Sequence, residues 1–203
     1  MVFFVAFSPG GLCILSALAN TTICIWESNN VNMILGPLRG HKDGVNCTIF
    51  SLNAKYIVLA SDDRTVHIWD LHTGNMVLTS GVHNDRVNSA NLSPNRQLII
   101  SASWDGIVHI WNLVTRDTVS VSLHGRAWYA LFPANGEHIF TCLYNQTILV
   151  HNSRTGEIIP KYFTDDATAL SFTCWNCTIY YDSITTWLER PRIFSTVKFF
   201  SAR

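Results

Sequence analysis

Apolar and polar residues alternate over short stretches along most of this chain. The clearest stretches are 45–50, 56–61 and 65–69, which are also rich in β-branched and aromatic residues. Because an alternation of period two places every second side chain on the same face of a strand, each stretch predicts a strand of five or six residues. A weaker strand is predicted over 75–79, before a loop that carries His83. The predicted fold class is therefore all-β.

The same pattern occurs four times, at intervals of 40 to 43 residues. Each copy has an apolar residue before a turn, then an Asn or Asp, then a Trp or His, at constant offsets. The four sets are Phe7, Asn20 and Trp26; Phe50, Asp63 and Trp69; Leu92, Asp105 and Trp111; and Phe132, Asn145 and His151. Constant offsets with variable intervals indicate rigid units joined by loops. Four short antiparallel strands per unit are typical of a β-propeller blade.

Two of the units resemble WD repeats, with a Gly-His start, an Asp in the turn and a Trp-Asp end. These units run from Gly40-His41 to Trp69-Asp70 and from His83 to Trp111-Asn112. The resemblance extends to 2–27 and, with His151-Asn152 as the closing pair, to 124–152. It implies a WD-repeat β-propeller of four recognisable blades plus a partial or diverged fifth, in an incomplete ring. The expected blades are 1–34, 35–79, 80–120 and 121–160, with a partial blade from 163. The connector 35–41 is similar to that of fungal repeat arrays attached to nucleotide-binding signalling proteins.

The repeat loses its register after about residue 160. Phe172 lies one interval after Phe132, so 167–173 predicts the first strand of a fifth blade, but Pro191 stands where the closing Trp would be. Proline lacks the N–H that a central strand donates. We therefore expect a propeller domain over 1–174 and a diverged C-terminal segment over 175–203.

Composition narrows the classes of function. Hydrophobic residues make up 48% of the chain and charged residues only 14%, which excludes a disordered chain. The formal net charge is +0 without a run of Lys or Arg, so we expect no nucleic-acid partner. No apolar stretch reaches the roughly 18 residues of a membrane-spanning helix, so we expect no membrane association.

The expected location is the cytoplasm, with the nucleus as the alternative. The apolar N-terminal stretch has no Lys or Arg before it and is broken by Ser8-Pro9-Gly10-Gly11, which argues against a signal peptide. The 6 cysteines are then expected to be reduced thiols of an intracellular protein.

Two units carry the same four side chains, a His, a Ser, an Asp and a Trp, at matching positions. They are His41, Ser61, Asp63 and Trp69 in one unit and His83, Ser103, Asp105 and Trp111 in the next. A catalytic triad is needed once, so this recurrence indicates a structural role and no enzymatic activity. In WD repeats the resemblance implies a buried network, in which Asp and Ser oxygens bond the His ring and the Trp N–H donates to the Ser. The first and fourth units keep only fragments of it, Asn20 with Trp26 and His124 with Asn145, so we expect softer blades there.

We expect no metal and no cofactor. Cys174 and Cys177 have the spacing of a zinc pair, but a closed structural site needs four ligands and the sequence has no second pair. The remaining candidates are Cys142, His138 and His151, and nothing in the sequence places them near the pair.

The loops carry the candidate binding residues. In WD repeats, the residue before the turn Asp and positions flanking the innermost strand face the upper surface of the propeller. The resemblance gives this role to Arg86, Trp104, Arg126, Trp128, Tyr144, Asp62, Asn46 and Asn88. Trp, Tyr and Arg dominate interface hot spots, so we expect a protein or peptide partner there. The alternative is that Trp104 and Trp128 pack locally against neighbouring loops.

The predicted function is a non-catalytic scaffold for protein–protein interaction. One alternative is the substrate-recognition subunit of a ubiquitin ligase, although such receptors often have Arg two positions after the Trp-Asp pair, where this chain has His72. Another is a non-functional truncated fragment of a larger WD-repeat signalling protein. Because an open arc of blades exposes apolar faces, we also expect a second copy or a larger propeller to complete the ring.

Overall fold

The computed structural model describes residues 2–18, 21–81, 83–133, 135–145, 147–159, 173–174 and 177–178. The chain divides into two compact units, 1–158 and 159–203. Every regular element in the described residues is a β-strand, which confirms the predicted fold class. A helix with the length and hydropathy of a membrane span is absent from these residues.

The first unit contains four antiparallel sheets, in which strands that are consecutive in the chain pair side by side. The first sheet consists of β1 (Val2–Phe7), β2 (Cys13–Leu18), β3 (Ile23–Glu27) and β4 (Met33–Leu38). The second consists of β5 (Val45–Phe50), β6 (Tyr56–Ser61), β7 (Thr65–Asp70) and β8 (Met76–Gly81). The third consists of β9 (Val87–Leu92), β10 (Leu98–Ser103), β11 (Ile107–Asn112) and β12 (Thr118–Ser122). The fourth has three described strands, β13 (Ala127–Leu131), β14 (His138–Leu143) and β15 (Ile148–Asn152).

A serine holds the turn between the first two strands of a sheet. Ser51 Oγ donates to Asn53 Oδ1 at 2.8 Å and accepts the Tyr56 N–H at 2.9 Å. Ser93 makes the matching pair of contacts in the third sheet. The repeat therefore recurs in its turn chemistry as well as in its spacing, and this chemistry sets where the second strand begins.

Adjacent sheets pack face to face, with a separate apolar core between each pair. The core between the first and second sheets includes Leu15, Ile25, Ile57, Leu59 and Trp69. The next two cores include Val58, Ile68, Ile99 and Trp111, and then Ile100, Ile110, Ile139 and Leu143. The innermost strands contact one another in the order β1, β5, β9 and β13. The sheets therefore follow one another as the blades of a propeller do.

The first blade extends further along the chain than the sequence predicts. Its expected end is residue 34, but β4 runs from Met33 to Leu38 and pairs with β3 in spite of two register shifts. Leu38 is 7% exposed and Leu35 packs in the same core, so apolar burial keeps this stretch in the sheet although Gly36-Pro37 favours a turn. The second and third blades also end slightly later than expected, at Gly81 and Ser122.

The predicted fifth blade falls mostly outside the described residues. Of the predicted strand 167–173, only Thr173 is described, and β16 (Thr173–Cys174) begins there. β16 pairs antiparallel with β17 (Cys177–Thr178), so Cys174 and Cys177 are opposite each other at the backbone level. The expected domain boundary at residue 174 and the diverged segment 175–203 stay predictions.

One face of the first sheet is open where the matching faces of later sheets are covered. Phe7 is 63% exposed, whereas Phe50, which occupies the same position one repeat later, is 7% exposed. Val5 is 54% exposed, and its counterpart Thr48 is 2% exposed. The second sheet turns Phe50 towards the first sheet, where it lies in the apolar core between the two sheets. The first sheet thus presents to solvent an apolar face that the next repeat buries.

Candidate functional site

The turns between the second and third strands lie at one end of the sheets, which we call the upper face. In the second, third and fourth sheets, this turn is tied to the start of the innermost strand of its own sheet by a backbone hydrogen bond. Asp62 N–H donates to Gly44 O at 2.9 Å, Trp104 N–H to Arg86 O at 3.1 Å, and Tyr144 N–H to Arg126 O at 2.9 Å. The same bond in three repeats places the candidate side chains next to one another.

Three aromatic residues of the upper face form one cluster across two blades. The ring centroids of Trp104 and Trp128 are 6.5 Å apart, those of Trp104 and Tyr144 6.5 Å, and those of Trp128 and Tyr144 5.9 Å. These separations are within the range of aromatic pairs that attract each other. Tyr144 is 65% exposed, so one edge of the cluster is available to a partner. The rings pack against one another, as the local-packing alternative expects, and a binding role of this cluster stays a prediction.

Two arginines flank the Trp104 ring. Arg86 Cζ is 4.4 Å from the ring centroid and Arg126 Cζ is 4.6 Å from it. A guanidinium over an indole face is attracted by the ring quadrupole. The structure therefore brings together five of the six residues of the predicted surface that belong to the third and fourth blades, namely Arg86, Trp104, Arg126, Trp128 and Tyr144.

Asn46 and Asn88 have a structural contact that the sequence does not reveal. Asn46 Nδ2 donates to Val87 O and Asn88 Nδ2 donates to Ala127 O, both at 3.0 Å. Each amide thus links the innermost strand of one blade to that of the next. Asn46 Nδ2 also donates to Asp62 Oδ1 at 2.7 Å. A partner contact by Asn46, Asn88 or Asp62 stays a prediction.

Below the upper face, a His–Asp pair occurs in each of two blades, as the sequence predicts. His41 Nδ1 is 2.9 Å from Asp63 Oδ2, and His83 Nδ1 is 2.9 Å from Asp105 Oδ2. Asp63 also accepts the backbone N–H groups of Lys42 and Thr65. One carboxylate thereby ties the loop before the innermost strand to the turn after the second strand.

The expected role of Ser61 and Ser103 is wrong in one respect: neither hydroxyl contacts the His ring. Ser61 Oγ donates to Asp43 O at 3.1 Å, and Ser103 Oγ donates to Arg86 O at 2.9 Å. The hydroxyl that reaches the His83 ring is Ser101 Oγ, 2.7 Å from Nε2. Ser103 ends its strand beside the incoming loop, whereas Ser101 lies two residues further in, on the same face and opposite the ring.

The position of Ser101 explains how the network varies between blades. The matching residue of the second blade is Leu59, and His41 Nε2 has no hydrogen-bond partner among the described residues. In the first blade the matching residue is Ser16, whose Oγ accepts the Trp26 Nε1–H at 2.8 Å. A serine four residues before the turn Asp or Asn was the sequence signal that could have identified this site.

The fourth blade does not form a buried His–Asp pair from its predicted fragments. His124 is exposed, and Asn145 Oδ1 accepts the Thr147 N–H within its own turn. His151, which replaces the Trp, is 1% exposed and its Nδ1 is 3.3 Å from Gly156 O. Burial lowers the pKa of His151, partly offset by that carbonyl contact. The softness of the first and fourth blades stays a prediction.

A second histidine lies beside each His–Asp pair, which the sequence analysis missed. The His41 and His67 rings stack with centroids 3.8 Å apart, and those of His83 and His109 are 4.3 Å apart. Burial, together with the charge of His41, lowers the pKa of His67 to about 4. Burial also lowers the pKa of His83, against the opposing effect of Asp105.

The carboxylates of the two pairs stay ionised in the folded protein. Burial alone raises the pKa of Asp63, but hydrogen bonds from His41, Thr65 and Lys42 outweigh it and hold the pKa far below its usual range. The pKa of Asp105 is also lowered, because its hydrogen bonds outweigh burial in the same way.

The part of the chain that the structure describes contains no candidate metal-binding site. No group of three or more His, Cys, Asp or Glu side chains there is arranged to hold an ion. The side chains of Cys174 and Cys177 lie outside the description.

The family model described as "WD domain, G-beta repeat" matches residues 2–27, 33–70 and 74–112, which together make up half of the chain. The match 33–70 begins with β4 of the first sheet and ends with β7 of the second. A sequence repeat therefore combines the outer strand of one blade with the three inner strands of the next. The fourth blade lies beyond the matched residues.

Several characterised proteins are similar to short parts of the chain. A WD repeat-containing protein 89 homolog of Dictyostelium discoideum is 44% identical over 59 residues, 29% of this chain and 16% of that protein. A WD repeat, SAM and U-box domain-containing protein 1 of Danio rerio is 34% identical over 73 residues, 36% of this chain and 15% of that protein. A probable E3 ubiquitin ligase complex SCF subunit sconB of Arthroderma otae is 46% identical over 46 residues, 23% of this chain and 7% of that protein. The chain thus spans only a small part of each relative.

Replacing Asp63 by Ala is expected to lower the free energy of unfolding by about 2–4 kcal/mol, because buried His41 and two backbone N–H groups lose their acceptor. The measurement is urea unfolding followed by tryptophan fluorescence. Asp62→Ala is the matched control, with an expected loss of about 1 kcal/mol or less, since its contacts lie near the surface. An unchanged free energy of unfolding for Asp63→Ala would contradict the role of the carboxylate.

Stability is expected to fall as the pH is lowered from 7 to 5. The pKa of His67 is about 4 in the folded protein and 6.5 in its ordinary range, so the unfolded chain takes up a proton that the folded protein excludes. The free energy of unfolding therefore has its full value above pH 6.5 and decreases as the pH falls towards 4. At pH 5, this residue alone lowers it by an amount on the order of 2 kcal/mol.

The measurement is the free energy of unfolding at pH 7 and pH 5 for the unmodified chain, His67→Phe and the exposed control His72→Gln. His67→Phe is expected to reduce the difference between the two pH values, and His72→Gln is expected to leave it unchanged. An equal pH dependence in all three proteins would show that His67 does not titrate as inferred.

Proposed function

The chain belongs to the WD-repeat family, and we propose that it is a non-catalytic scaffold that binds a protein or peptide partner on its upper face. WD repeats in general indicate protein interaction. The observation that carries the finer proposal is the cluster of Trp104, Trp128 and Tyr144 with two arginines, because these residue types dominate interface hot spots. They lie together on one face and belong to adjacent blades.

The hydrogen bonds of the serines support the non-catalytic part of the proposal. Ser61 and Ser103 donate to backbone carbonyl groups, so neither is activated by a histidine. Ser101, His83 and Asp105 have the contact order of a catalytic triad, but Ser101 is 0% exposed and no substrate reaches its hydroxyl. We therefore assign these groups to the stability of the blade.

A second candidate is the recognition of substrates for a ubiquitin ligase. It is favoured by two similar proteins, one named as containing a U-box and the other as a probable SCF subunit. Affinity capture separates the two functions. A ligase subunit is recovered together with other ligase components and increases ubiquitination of the bound protein, whereas a scaffold does neither. Three finer assignments are also proposals: the fungal array type, based on the connector 35–41, truncation from a larger signalling protein, and the cytoplasmic or nuclear location.

We also propose that a further blade covers the open face of the first sheet, contributed by a second copy or by a larger propeller. Phe7 and Val5 are exposed there, whereas Phe50 and Thr48 at the matching positions are buried against a neighbouring sheet. A face with this side-chain pattern therefore fits a blade of the same kind.

Joint replacement of Trp104 and Trp128 by Ala is expected to abolish recovery of the partner in cross-linking and affinity capture. This variant removes two of the three rings of the aromatic cluster, which is expected to cost at least about 2 kcal/mol of binding free energy. The matched control is Leu52→Ala with Val114→Ala, which removes exposed apolar residues from turns outside the upper face. Unchanged recovery with the folded double-Trp variant would refute the proposed surface.

If a second copy covers the first sheet, light scattering is expected to show a mass above that of one chain, rising with concentration. Phe7→Lys is expected to shift the protein to the monomer, because it places a charge in the apolar interface. Leu52→Lys, at a residue 68% exposed on a turn, is the control and is expected to leave the mass unchanged. A stable monomer at all concentrations would exclude the second copy in favour of the larger propeller.

A further inference from the structure

The upper face carries two positive charges in a small area. Arg86 Cζ and Arg126 Cζ lie 4.4 Å and 4.6 Å from the same ring centroid of Trp104. The two guanidinium groups are therefore no further apart than the sum of these distances. Two like charges held this close are favourable sites for anionic groups, because an anion reduces their mutual repulsion.

The negative charges of the described residues neutralise this pair only in part. Arg86 Nε is 3.8 Å from Asp62 Oδ1, a long contact between groups that are 46% and 27% exposed. Asp85, which precedes Arg86, turns one carboxylate oxygen to the Arg86 backbone N–H at 2.8 Å. Arg126 is exposed and has no carboxylate within ion-pair distance among the described residues. Arg126 is therefore the positive group of this area that no carboxylate of the described residues pairs, and Arg86 has only the long contact with Asp62.

We propose that the partner presents an acidic segment in extended conformation, with two carboxylates at alternate positions, one for Arg126 and one for Arg86. Alternate side chains of an extended strand point to the same side and are about 6.6 Å apart, which is within the limit set by the two arginines. The Trp128 and Tyr144 rings lie beside them and offer an apolar contact to a neighbouring side chain of the segment. This inference rests on the proposed function and adds the chemistry of the partner.

The paired positive charges decide against other ligand classes. A cationic peptide meets two guanidinium groups at the aromatic cluster, where a site for a cation needs free ring faces. A nucleic acid needs a row of basic groups along its backbone, and the two arginines are accompanied by the opposing charge of Asp62. A short acidic segment offers one carboxylate to each arginine at a spacing below the upper limit that their distances to the Trp104 ring set.

The test is the binding of fluorescein-labelled peptides to the full chain, followed by anisotropy. The first peptide is extended and carries two glutamates at alternate positions around a leucine, and the second has glutamines in their place. We expect the glutamate peptide to bind at least about tenfold more tightly, and its affinity to fall as salt is raised. Equal affinity of the two peptides, or no saturable binding of the glutamate peptide up to millimolar protein, overturns the proposal.

Three variants assign the binding to the named residues. Arg126→Gln is expected to weaken the glutamate peptide about tenfold, and Arg86→Gln less, because Asp62 already offsets Arg86. Asp62→Asn is expected to tighten binding, since it removes the competing carboxylate, an effect that loss of structure would not produce. Arg154→Gln, an equal change of charge in the turn after β15, is the control and is expected to bind as the unmodified chain does.

Two further probes separate the source of the negative charge. A phosphoserine peptide that binds more than about tenfold more tightly than the glutamate peptide would assign the site to a phosphorylated segment and overturn the carboxylate assignment. A single-stranded oligonucleotide that displaces the glutamate peptide at lower concentration than unlabelled peptide does would overturn it in favour of a nucleic acid.

Failure of this inference and failure of the proposed function give different results. If the double-Trp variant loses its partner while the glutamate and glutamine peptides bind alike, the surface is correct and the acidic chemistry is wrong. If the partner is recovered equally well by the double-Trp variant, the surface itself is wrong.

Discussion

Each blade of this protein is a sheet with apolar side chains on both faces, and it can bury them only against a neighbouring sheet. Leu15 and Ile25 of the first blade meet Ile57 and Trp69 of the second in one core, and equivalent cores follow between later blades. In the described part of the chain, the buried residues of each core come from one pair of adjacent sheets, so stability is shared between neighbours along the chain. The exposed fraction of Phe7 against that of Phe50 shows what a blade without a neighbour leaves in solvent.

The upper face depends on this arrangement through the polar network beneath it. Asp63 joins the loop at Lys42 to the turn at Thr65, and Asp105 joins Asn84 to Ile107 in the same way. These carboxylates hold the turns from which the side chains of the proposed binding surface project. The burial that lowers the pKa of His67 and His83 belongs to the same network, so the geometry of the loops and the response to acid have a common origin.

Spacing in the sequence was enough to predict the strands and the four sheets, because these depend on register, and the resemblance to WD repeats placed Trp104, Trp128 and Tyr144 on one face. Spacing was not enough for contacts decided by a few ångströms. The sequence pairs Ser103 with the ring of His83, but the ring contacts Ser101 instead. The two serines lie on the same face of one strand, two residues apart. The predicted end of the first blade at residue 34 is too early, because β4 continues to Leu38, where tertiary burial of Leu35 and Leu38 overrides the turn tendency of Gly36-Pro37.

The overlap between sequence repeats and blades has a consequence for how such a chain can change in evolution. One repeat supplies β4 to one sheet and β5, β6 and β7 to the next, so the chain of a single repeat connects two blades covalently. Duplication or deletion of a whole repeat by recombination then alters the number of blades while every remaining sheet keeps its outer strand. The sequence repeat is thus offset by one strand from the blade. Because of this offset, no sheet loses its outer strand and exposes an unpaired edge when the number of repeats changes.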